Sequence, residues 1–183
     1  MKSNLDKIIC AGKNYLGHAH EMQEAVPEKP VIFLKPPSVL KSCSQWYGPL
    51  KLTLPKTESI EDIHYECELV FRINRSGYKM TLEEAQQSIS HVTVGLDMTQ
   101  RALQKKAKDA RGPWTFGKVF PDAAAIGPWV ALQDIDLQTL AFQLVINDEV
   151  KQKAKASDMR MNAFELLSYV SQYLPVCAKY KLT

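Results

Sequence analysis

The strongest indication of the fold is one stretch of sequence, HYECELVFRI at residues 64–73. Apolar and polar side chains alternate along it, as in a β-strand, where successive side chains point to opposite faces of the sheet. One face is apolar and consists of Cys67, Leu69, Phe71 and Ile73. The other face carries Glu66, Glu68, Val70 and Arg72. We therefore predict a strand with one face in the core and two carboxylates side by side on the other.

On both sides of this strand, short apolar runs bounded by Gly and Pro predict further strands. They lie at residues 7–11, 31–34, 50–54, 91–98, 130–132 and 140–146, with a hairpin turn at Asn147-Asp148. Helical patterns cover residues 15–25, 81–90, 100–110 and 162–174. Thr81 and Glu84 fit a capping box at the start of the second helix. Strands outnumber helices and alternate with them irregularly, so the expected fold class is α+β.

Length and composition indicate a single globular domain over residues 1–183, with 45% hydrophobic and 23% charged residues. No apolar run approaches membrane-spanning length, and the first residues lack the apolar segment of a signal peptide. Four cysteines without CxxC spacing argue against a disulfide framework and against a thiolate zinc site. We therefore expect a cytoplasmic protein that does not bind membranes.

The charge distribution argues against a nucleic-acid partner. The formal net charge is only +3, and the densest basic run is KKAK at residues 105–108. No aromatic residues interleave this run for base stacking, so a solvated helix face is the preferred interpretation.

The two glutamates of the central strand are candidate metal ligands. Glu66 and Glu68 share one strand face, and two adjacent carboxylates repel each other unless a cation lies between them. Hard oxygen ligands favour Mg²⁺, Mn²⁺ or Ca²⁺ over zinc. The alternative is that this side of the strand faces solvent.

Asp97 is a third candidate ligand. It follows an apolar strand, where a charge is costly unless it is paired or coordinated. Its alternative role is the cap of a helix starting near Thr99.

Five further residues are candidates for catalysis or substrate binding. Arg101 and Gln104 lie one helical turn apart and can bind a carboxylate together, or form a surface pair. His18 and Glu21 have the same spacing, which suits the orientation of an imidazole or a water for proton transfer. Lys118 lies in an apolar, aromatic segment, where its ammonium either reaches solvent or faces an anionic ligand.

Together these residues form motifs that resemble the fumarylacetoacetate hydrolase family, in particular its small acylpyruvate hydrolase branch. The matching segments are NYLGHAHEM at residues 14–22, PVIFLKP at 30–36, HYECEL at 64–69, GLDMTQR at 95–101 and GPWTFGK at 112–118. They occur in the order of the family and extend over most of the chain from about residue 7 to residue 174. The resemblance implies a mixed, curved β-roll with peripheral helices, and a homodimer.

The resemblance also implies a role for each candidate residue. A Mg²⁺ or Mn²⁺ ion is implied at Glu66, Glu68 and Asp97. His18 and Glu21 are implied to activate water, Lys118 to stabilise negative charge, and Arg101 and Gln104 to contact a small 2-oxo acid substrate. The implied reaction is hydrolysis of the carbon–carbon bond of an acylpyruvate, a fumarylpyruvate-like 2,4-dioxo acid, through a pyruvate enolate. Oxaloacetate decarboxylation and isomerisation of 2-hydroxyhepta-2,4-diene-1,7-dioate are the alternatives within the family.

The C-terminal segment departs from the family pattern. Family members continue through a Gly-Asp turn and a strand into a Thr-Gly-Thr-Pro loop, whereas this sequence ends with PVCAKYKLT at residues 175–183. We therefore expect a C-terminally incomplete domain that lacks the last strands of the roll and leaves a sheet edge open. An alternative of another class follows, an inactive remnant that binds a metal or a protein partner.

Overall fold

A computed structural model of the protein describes residues 5–15, 29–44, 50–56, 62–178 and 181–182. This part of the chain contains ten strands, β1 (Ile8–Gly12), β2 (Val31–Lys35), β3 (Leu40–Ser42), β4 (Ile63–Ile73), β5 (Ile89–Gln100), β6 (Ala124–Ile126), β7 (Val130–Ala131), β8 (Ala141–Ile146), β9 (Glu149–Lys155) and β10 (Lys181–Leu182). It also contains four α-helices, α1 (Leu82–Gln86), α2 (Arg101–Asp109), α3 (Thr115–Lys118) and α4 (Ala163–Ser171). Single 3₁₀ turns lie at Pro37–Val39, Leu132–Asp134 and Ala156–Asp158.

Eight of these strands form one mixed sheet, in the order β2-β1-β10-β4-β5-β6-β3, with β7 paired to β5. The long antiparallel pair β4–β5 is the centre of the sheet, and its register places Glu66 opposite Asp97. The β1–β10 and β3–β6 pairs are parallel. Strands β8 and β9 form a separate two-stranded hairpin. The predicted turn at Asn147-Asp148 is confirmed, since both residues adopt the positive φ that the tightest hairpin turns require.

The strands pack around two hydrophobic cores. The apolar face of β4 faces the larger core, which helix α4 covers with Leu166, Leu167 and Val170. All four predicted core residues of β4 are buried there. The smaller core includes Ile8, Cys10, Val39, Ile63, Met98 and Phe120. The predicted burial of the apolar face of β4 is therefore confirmed.

A glycine in β5 allows the sheet to pack closely beside the glutamates. Gly95 lies opposite Glu68 in the register. A Cβ atom at this position would lie 2.7 Å from Val70 Cγ2 and 2.9 Å from the Ala125 carbonyl oxygen. Neither neighbour belongs to a flexible side-chain end, so any larger residue would push β4 and β6 away from β5.

Helix α1 begins where the capping motif in the sequence predicts. The capping box of Thr81 and Glu84 is present, with both hydrogen bonds formed. However, α1 ends at Gln86 rather than near residue 90, because Ile89 is buried at the start of β5. The helix predicted over residues 15–25 lies outside the described residues, except for Tyr15, which forms an isolated antiparallel bridge with Met159.

The strand predicted at residues 50–54 is wrong, because these residues form no ladder with another strand. The Thr53 backbone N–H donates instead to the Asp122 carboxylate, at 2.8 Å. That carboxylate supplies the acceptor that a neighbouring strand would otherwise provide. Among the described helices, none is long and apolar enough to cross a membrane.

Candidate metal centre

Three carboxylates converge on one face of the β4–β5 pair. Glu66 lies opposite Asp97 in the register, and Glu68 is two residues further along the same face of β4. Each side chain offers one oxygen, and these three oxygens lie within 4.8 Å of one another. Asp97 is buried, with 6% of its surface exposed. The pairing of Glu66 and Glu68 predicted from the alternation of β4, and their proximity to Asp97 implied by the family resemblance, are both present in the structure.

Two of the carboxylates are compensated by cationic side chains. The Lys118 ammonium lies 2.6 Å from Asp97 Oδ2 and 2.8 Å from Glu66 Oε2. The Lys35 ammonium lies 2.5 Å from Asp97 Oδ1, and the Arg101 guanidinium lies 3.0 Å from Glu66 Oε1. Buried charges at these distances attract strongly, because little water screens them.

Glu68 is the carboxylate that forms no ion pair with these cations, although the charges of Lys118 and Lys35 partly offset the rise in its pKa. Its Oε2 atom is buried and has no hydrogen-bond partner among the described residues. Burial, followed by the neighbouring charges of Asp97 and Glu66, raises the pKa of Glu68 well above its ordinary value. An unpartnered carboxylate oxygen facing two other carboxylates is the donor set that a Mg²⁺ or Mn²⁺ ion binds. The residues present therefore fit a divalent cation.

Lys118 is held in place by the short helix α3 and by an aromatic ring. Its ammonium lies 4.8 Å from the centroid of Phe33. Burial alone would lower the pKa of Lys118, but the charges of Asp97 and Glu66 and their hydrogen bonds raise it overall. The ammonium thus stays protonated at neutral pH, which suits the stabilisation of negative charge rather than proton abstraction.

Helix α2 supplies the second cationic side of the site. Arg101 donates a hydrogen bond from Nη1 to Gln104 Oε1 at 2.9 Å, which fixes the guanidinium while its Nη2 contacts Glu66. Gln104 is itself buried, at 4% exposure. The short helix α3 packs closely against it, because a Cβ on Gly117 would lie only 2.9 Å from the Gln104 backbone nitrogen. This close packing places Lys118 and Arg101 on the same carboxylate, that of Glu66.

The carboxylates lie in the wall of a large cleft of about 860 Å³. Its lining includes the aromatic side chains Tyr15, Phe33, Tyr65 and Trp114, and the lysines Lys13, Lys108, Lys151 and Lys153. The cleft is large enough for a small organic acid with an extended substituent. Its basic rim would attract anionic molecules.

The cysteine between the two glutamates is not a nucleophile. Burial, and secondarily the charge of Glu68, raises the pKa of Cys67 to about 11, so its thiol is protonated at neutral pH. The hydroxyl of Tyr15 is likewise buried, and no hydrogen-bond partner for it lies in the part of the chain that the structure describes. Burial, and then Glu68, raises its pKa above the ordinary value.

Most candidates from the sequence are brought together, although their roles stay predictions. Lys118, Arg101 and Gln104 surround the three carboxylates, whereas His18 and Glu21 lie outside the described residues. The alternative role of Asp97 as a helix cap is wrong. Helix α2 begins after Gln100, and its first turn has no side-chain cap.

Sequence reasoning assigned no role to Lys35. This side chain is almost completely buried, and its ammonium also donates to the backbone carbonyls of Met98 and Ala123, at 3.0 and 2.7 Å. The signal was a lysine at the end of an apolar strand, VIFLK, directly before a proline. A lysine at such a position is seldom fully buried without an anionic partner.

Comparisons with known proteins support one family for almost the whole chain. Residues 7–179 match the family model described as Fumarylacetoacetate (FAA) hydrolase C-terminal. The oxaloacetate tautomerase YcgM of Escherichia coli is 31% identical, over 95% of this chain and 77% of that protein. A mitochondrial oxaloacetate decarboxylase of Dictyostelium discoideum is 32% identical, over 92% of this chain and 75% of that protein.

The solved structures agree with this assignment. The fumarylpyruvate hydrolase of Pseudomonas aeruginosa, in complex with Mn²⁺ and pyruvate, superposes with a TM-score of 0.89 at 29% identity. The superposition covers 97% of this chain and 76% of that chain. The predicted fold class, α+β with the mixed sheet of this type of domain, is thereby confirmed.

Proposed function

Because this chain belongs to the fumarylacetoacetate hydrolase family, we propose that it is a metal-dependent enzyme that hydrolyses the carbon–carbon bond of an acylpyruvate. The observation that carries the proposal is the buried Glu68 oxygen, which has no hydrogen-bond partner among the residues described and converges with Glu66 and Asp97 in a cleft lined by lysines. Acylpyruvates are small anions with a 2-oxo acid end, and such a cleft suits them.

In this proposal, Glu66, Glu68 and Asp97 hold a Mg²⁺ or Mn²⁺ ion. When bound, the ion would supply Lewis-acid chemistry, which stabilises negative charge on the oxygens of a 2-oxo acid. The fumarylpyruvate hydrolase structure, which contains Mn²⁺ and pyruvate, supports this choice of ion and of ligand.

The hydrolysis begins with a water that loses a proton to the His18–Glu21 pair and attacks the acyl carbonyl carbon. The carbon–carbon bond then breaks, and its electron pair stays on the pyruvate part as an enolate. A proton returned to the enolate carbon completes pyruvate, and the acyl part leaves as a carboxylate. We assign to Lys118 the stabilisation of the negative charge that develops, and the location of its protonated side chain in the wall of the same cleft supports this role.

Arg101 and Gln104 are assigned to the substrate carboxylate. A guanidinium has five N–H donors, so Arg101 can keep its contact with Glu66 and still donate to an anionic ligand. Gln104 restricts the rotation of the Arg101 side chain by accepting a hydrogen bond from its Nη1. Pre-orientation of this kind reduces the entropy lost when the substrate binds.

The proposed activity is tested by turnover of short acylpyruvates with metal-stripped protein. We expect pyruvate release after addition of Mg²⁺ or Mn²⁺ and none in the presence of EDTA. Absence of turnover with acylpyruvates and with oxaloacetate, at saturating metal, would show that the chain is not an active enzyme. That result would favour the remnant that binds only a metal or a partner.

Oxaloacetate chemistry is the second candidate, and the curated relatives favour it, since they include a tautomerase and a decarboxylase. Loss of CO₂ from oxaloacetate needs stabilisation of the enolate but no attacking water. We therefore expect His18→Ala to abolish acylpyruvate hydrolysis while decarboxylation of oxaloacetate is largely retained. Equal losses of the two activities would contradict the role of His18 in water activation.

Family membership also supports a homodimer of single-domain subunits, and this remains part of the proposal. The matched segment, residues 7–179, fits one domain over the chain. Light scattering coupled to size-exclusion chromatography should give twice the 20.7 kDa mass of the chain. A monomeric mass would contradict the dimer without affecting the proposed chemistry.

A further inference from the structure

One edge of β4 faces β5, and the other edge is paired only in part. On that second edge, β10 pairs with Phe71 and Arg72, and no described strand pairs with residues 63–70. At Cys67, a side chain of the β8–β9 hairpin occupies the position of the missing neighbouring strand. The Cys67 N–H donates to Gln152 Oε1 at 2.8 Å, and Gln152 Nε2 donates to the Cys67 carbonyl oxygen at 2.7 Å.

The Gln152 carboxamide thus reproduces the paired hydrogen bonds that a neighbouring strand makes to one residue. Cys67 is buried, at 5% exposure, so its N–H and C=O groups have little access to water. Loss of the carboxamide would leave both groups unsatisfied, which costs free energy for each. The backbone at Cys67 is therefore held in one orientation by a distant part of the chain.

Cys67 is the residue between two of the three converging carboxylates. Because adjacent peptide planes set where the flanking side chains point, a fixed backbone at Cys67 fixes the directions of Glu66 and Glu68. The cations that pair with Glu66 and Asp97 form no ion pair with Glu68, so its carboxylate is still repelled by these two, which lie within 4.8 Å of it. A restraint on their backbone keeps the ligand oxygens close before an ion arrives.

The hairpin has a local irregularity that orients Gln152 towards β4. Its register passes from Leu144↔Gln152 to Val145↔Val150, so Lys151 is an extra residue with no partner opposite. Such bulges change the direction of neighbouring side chains and are common beside functional sites. The hairpin itself is anchored in the larger core by Phe142, whose ring lies 6.0 Å from that of Tyr15.

We propose that Gln152 is a positioning residue, which holds the strand between Glu66 and Glu68 and thereby sets the affinity of the site for a divalent cation. The inference rests on the metal site of the proposed function and adds a residue that does not touch the ion. Groups that orient metal ligands typically change metal affinity by about 10–100-fold when they are removed.

The test compares Gln152→Met with Gln143→Met. Methionine matches glutamine in length but cannot replace its hydrogen bonds, and Gln143 is an exposed residue on the other strand of the same hairpin. Calorimetric titration of metal-stripped proteins with Mn²⁺ should show affinity about 10-fold or more weaker for Gln152→Met. The affinity of Gln143→Met should equal that of the unmodified protein.

A second variant covers the case in which Gln152→Met does not fold. Gln152→Asn keeps an uncharged carboxamide but is one methylene shorter, so it cannot reach both backbone groups of Cys67, and an intermediate loss of Mn²⁺ affinity is expected. If folded Gln152→Met, or Gln152→Asn where Met does not fold, binds Mn²⁺ as tightly as the unmodified protein, the role of Gln152 is wrong while the metal site stands. If the unmodified protein binds no Mn²⁺, the metal site and this inference both fail.

Discussion

Substitution of Lys118 can separate its proposed effect on the rate of the reaction from its effect on metal binding. Its ammonium contacts Glu66 and Asp97, both proposed ligands, so it competes with a cation for their charge. We expect Lys118→Met to lower kcat by about 100-fold or more, as is typical when one charge-stabilising donor is removed. Mn²⁺ affinity should stay the same or increase. Steady-state kinetics together with Mn²⁺ titration measures both quantities.

The matched control for this prediction is Lys105→Met. Lys105 is an exposed lysine of α2 that pairs with Asp109 on the helix surface, so its removal changes the net charge equally. Its kcat should be unchanged. A Lys118→Met variant that retained full kcat would contradict the assigned role.

Glu68 makes the stability of the metal-free protein depend on pH. Its pKa is raised above 4.5 in the folded state, by burial and by Asp97 and Glu66, so the folded state keeps a proton that the unfolded chain loses. The free energy of unfolding should therefore fall as the pH rises from about 4.5 through the folded-state pKa. Glu68→Gln should reduce this fall and raise Tm at neutral pH in EDTA.

Thermal unfolding across pH measures this effect, and Asp148→Asn is its control. Asp148 is exposed in the hairpin turn, at a positive φ that Asn also tolerates, and the substitution removes the same charge. Each kcal/mol of stability corresponds to about 2–4 °C in Tm for a protein of this size. A lower Tm for Glu68→Gln than for the unmodified protein in EDTA would show that Glu68 is not a destabilising charge.

At the residue scale, the sequence allowed prediction of those site residues that a local pattern, such as strand alternation, places together. Glu66 and Glu68 were predictable because strand alternation alone puts them on one face. Lys35 was not assigned a role, because its burial depends on Asp97 and on carbonyls from β5 and the segment before β6. Gln152 could not be predicted either, since its orientation depends on a bulge and on the docking of a hairpin.

At the element scale, the contact between α2 and α3 determines where the cationic side chains lie. Gly117→Ala would place a Cβ 2.9 Å from the Gln104 nitrogen and 3.0 Å from its Cα, both of which are backbone atoms. We expect a loss of about 1–3 kcal/mol in stability, as for other overpacked positions. Activity should also fall, because Lys118 and Arg101 would separate. Chemical denaturation and kinetics measure the two effects.

Gly112→Ala is the matched control for this helix contact. A Cβ at Gly112 meets only the Ala107 carbonyl oxygen, at an ordinary distance of 3.8 Å. This variant should keep near-normal stability and activity. Equal effects of the two substitutions would show that close packing of α3 on α2 is not what positions the site.

Elements with complete local signals were predicted well. The strand at residues 64–73 and the capping box of α1 both appear in the structure. The strand at residues 50–54 was wrong, because a single tertiary hydrogen bond from Thr53 to Asp122 replaces a ladder, and local sequence contains no sign of that partner. Tertiary context overrides a short alternating pattern in this way.

At the scale of the whole molecule, strand order could not be derived from local patterns. In the sheet, β10 lies between β1 and β4, and β3 lies beside β6. The strands of these pairs are far apart in the sequence. The family resemblance implied a mixed β-roll but gave no strand order. The result is a site assembled from β2, β4, β5, α2 and α3, with the β8–β9 hairpin against its edge.

The proposed chemistry depends on one divalent cation bound jointly by Glu66, Glu68 and Asp97. Titration of metal-stripped protein with Mn²⁺, followed by the electron paramagnetic resonance signal of the free ion, measures this binding. We expect one bound ion per chain, and loss of that binding in Glu68→Gln at the same concentrations. If the unmodified protein binds no Mn²⁺, or if Glu68→Gln binds it unchanged, these three carboxylates are not the metal site.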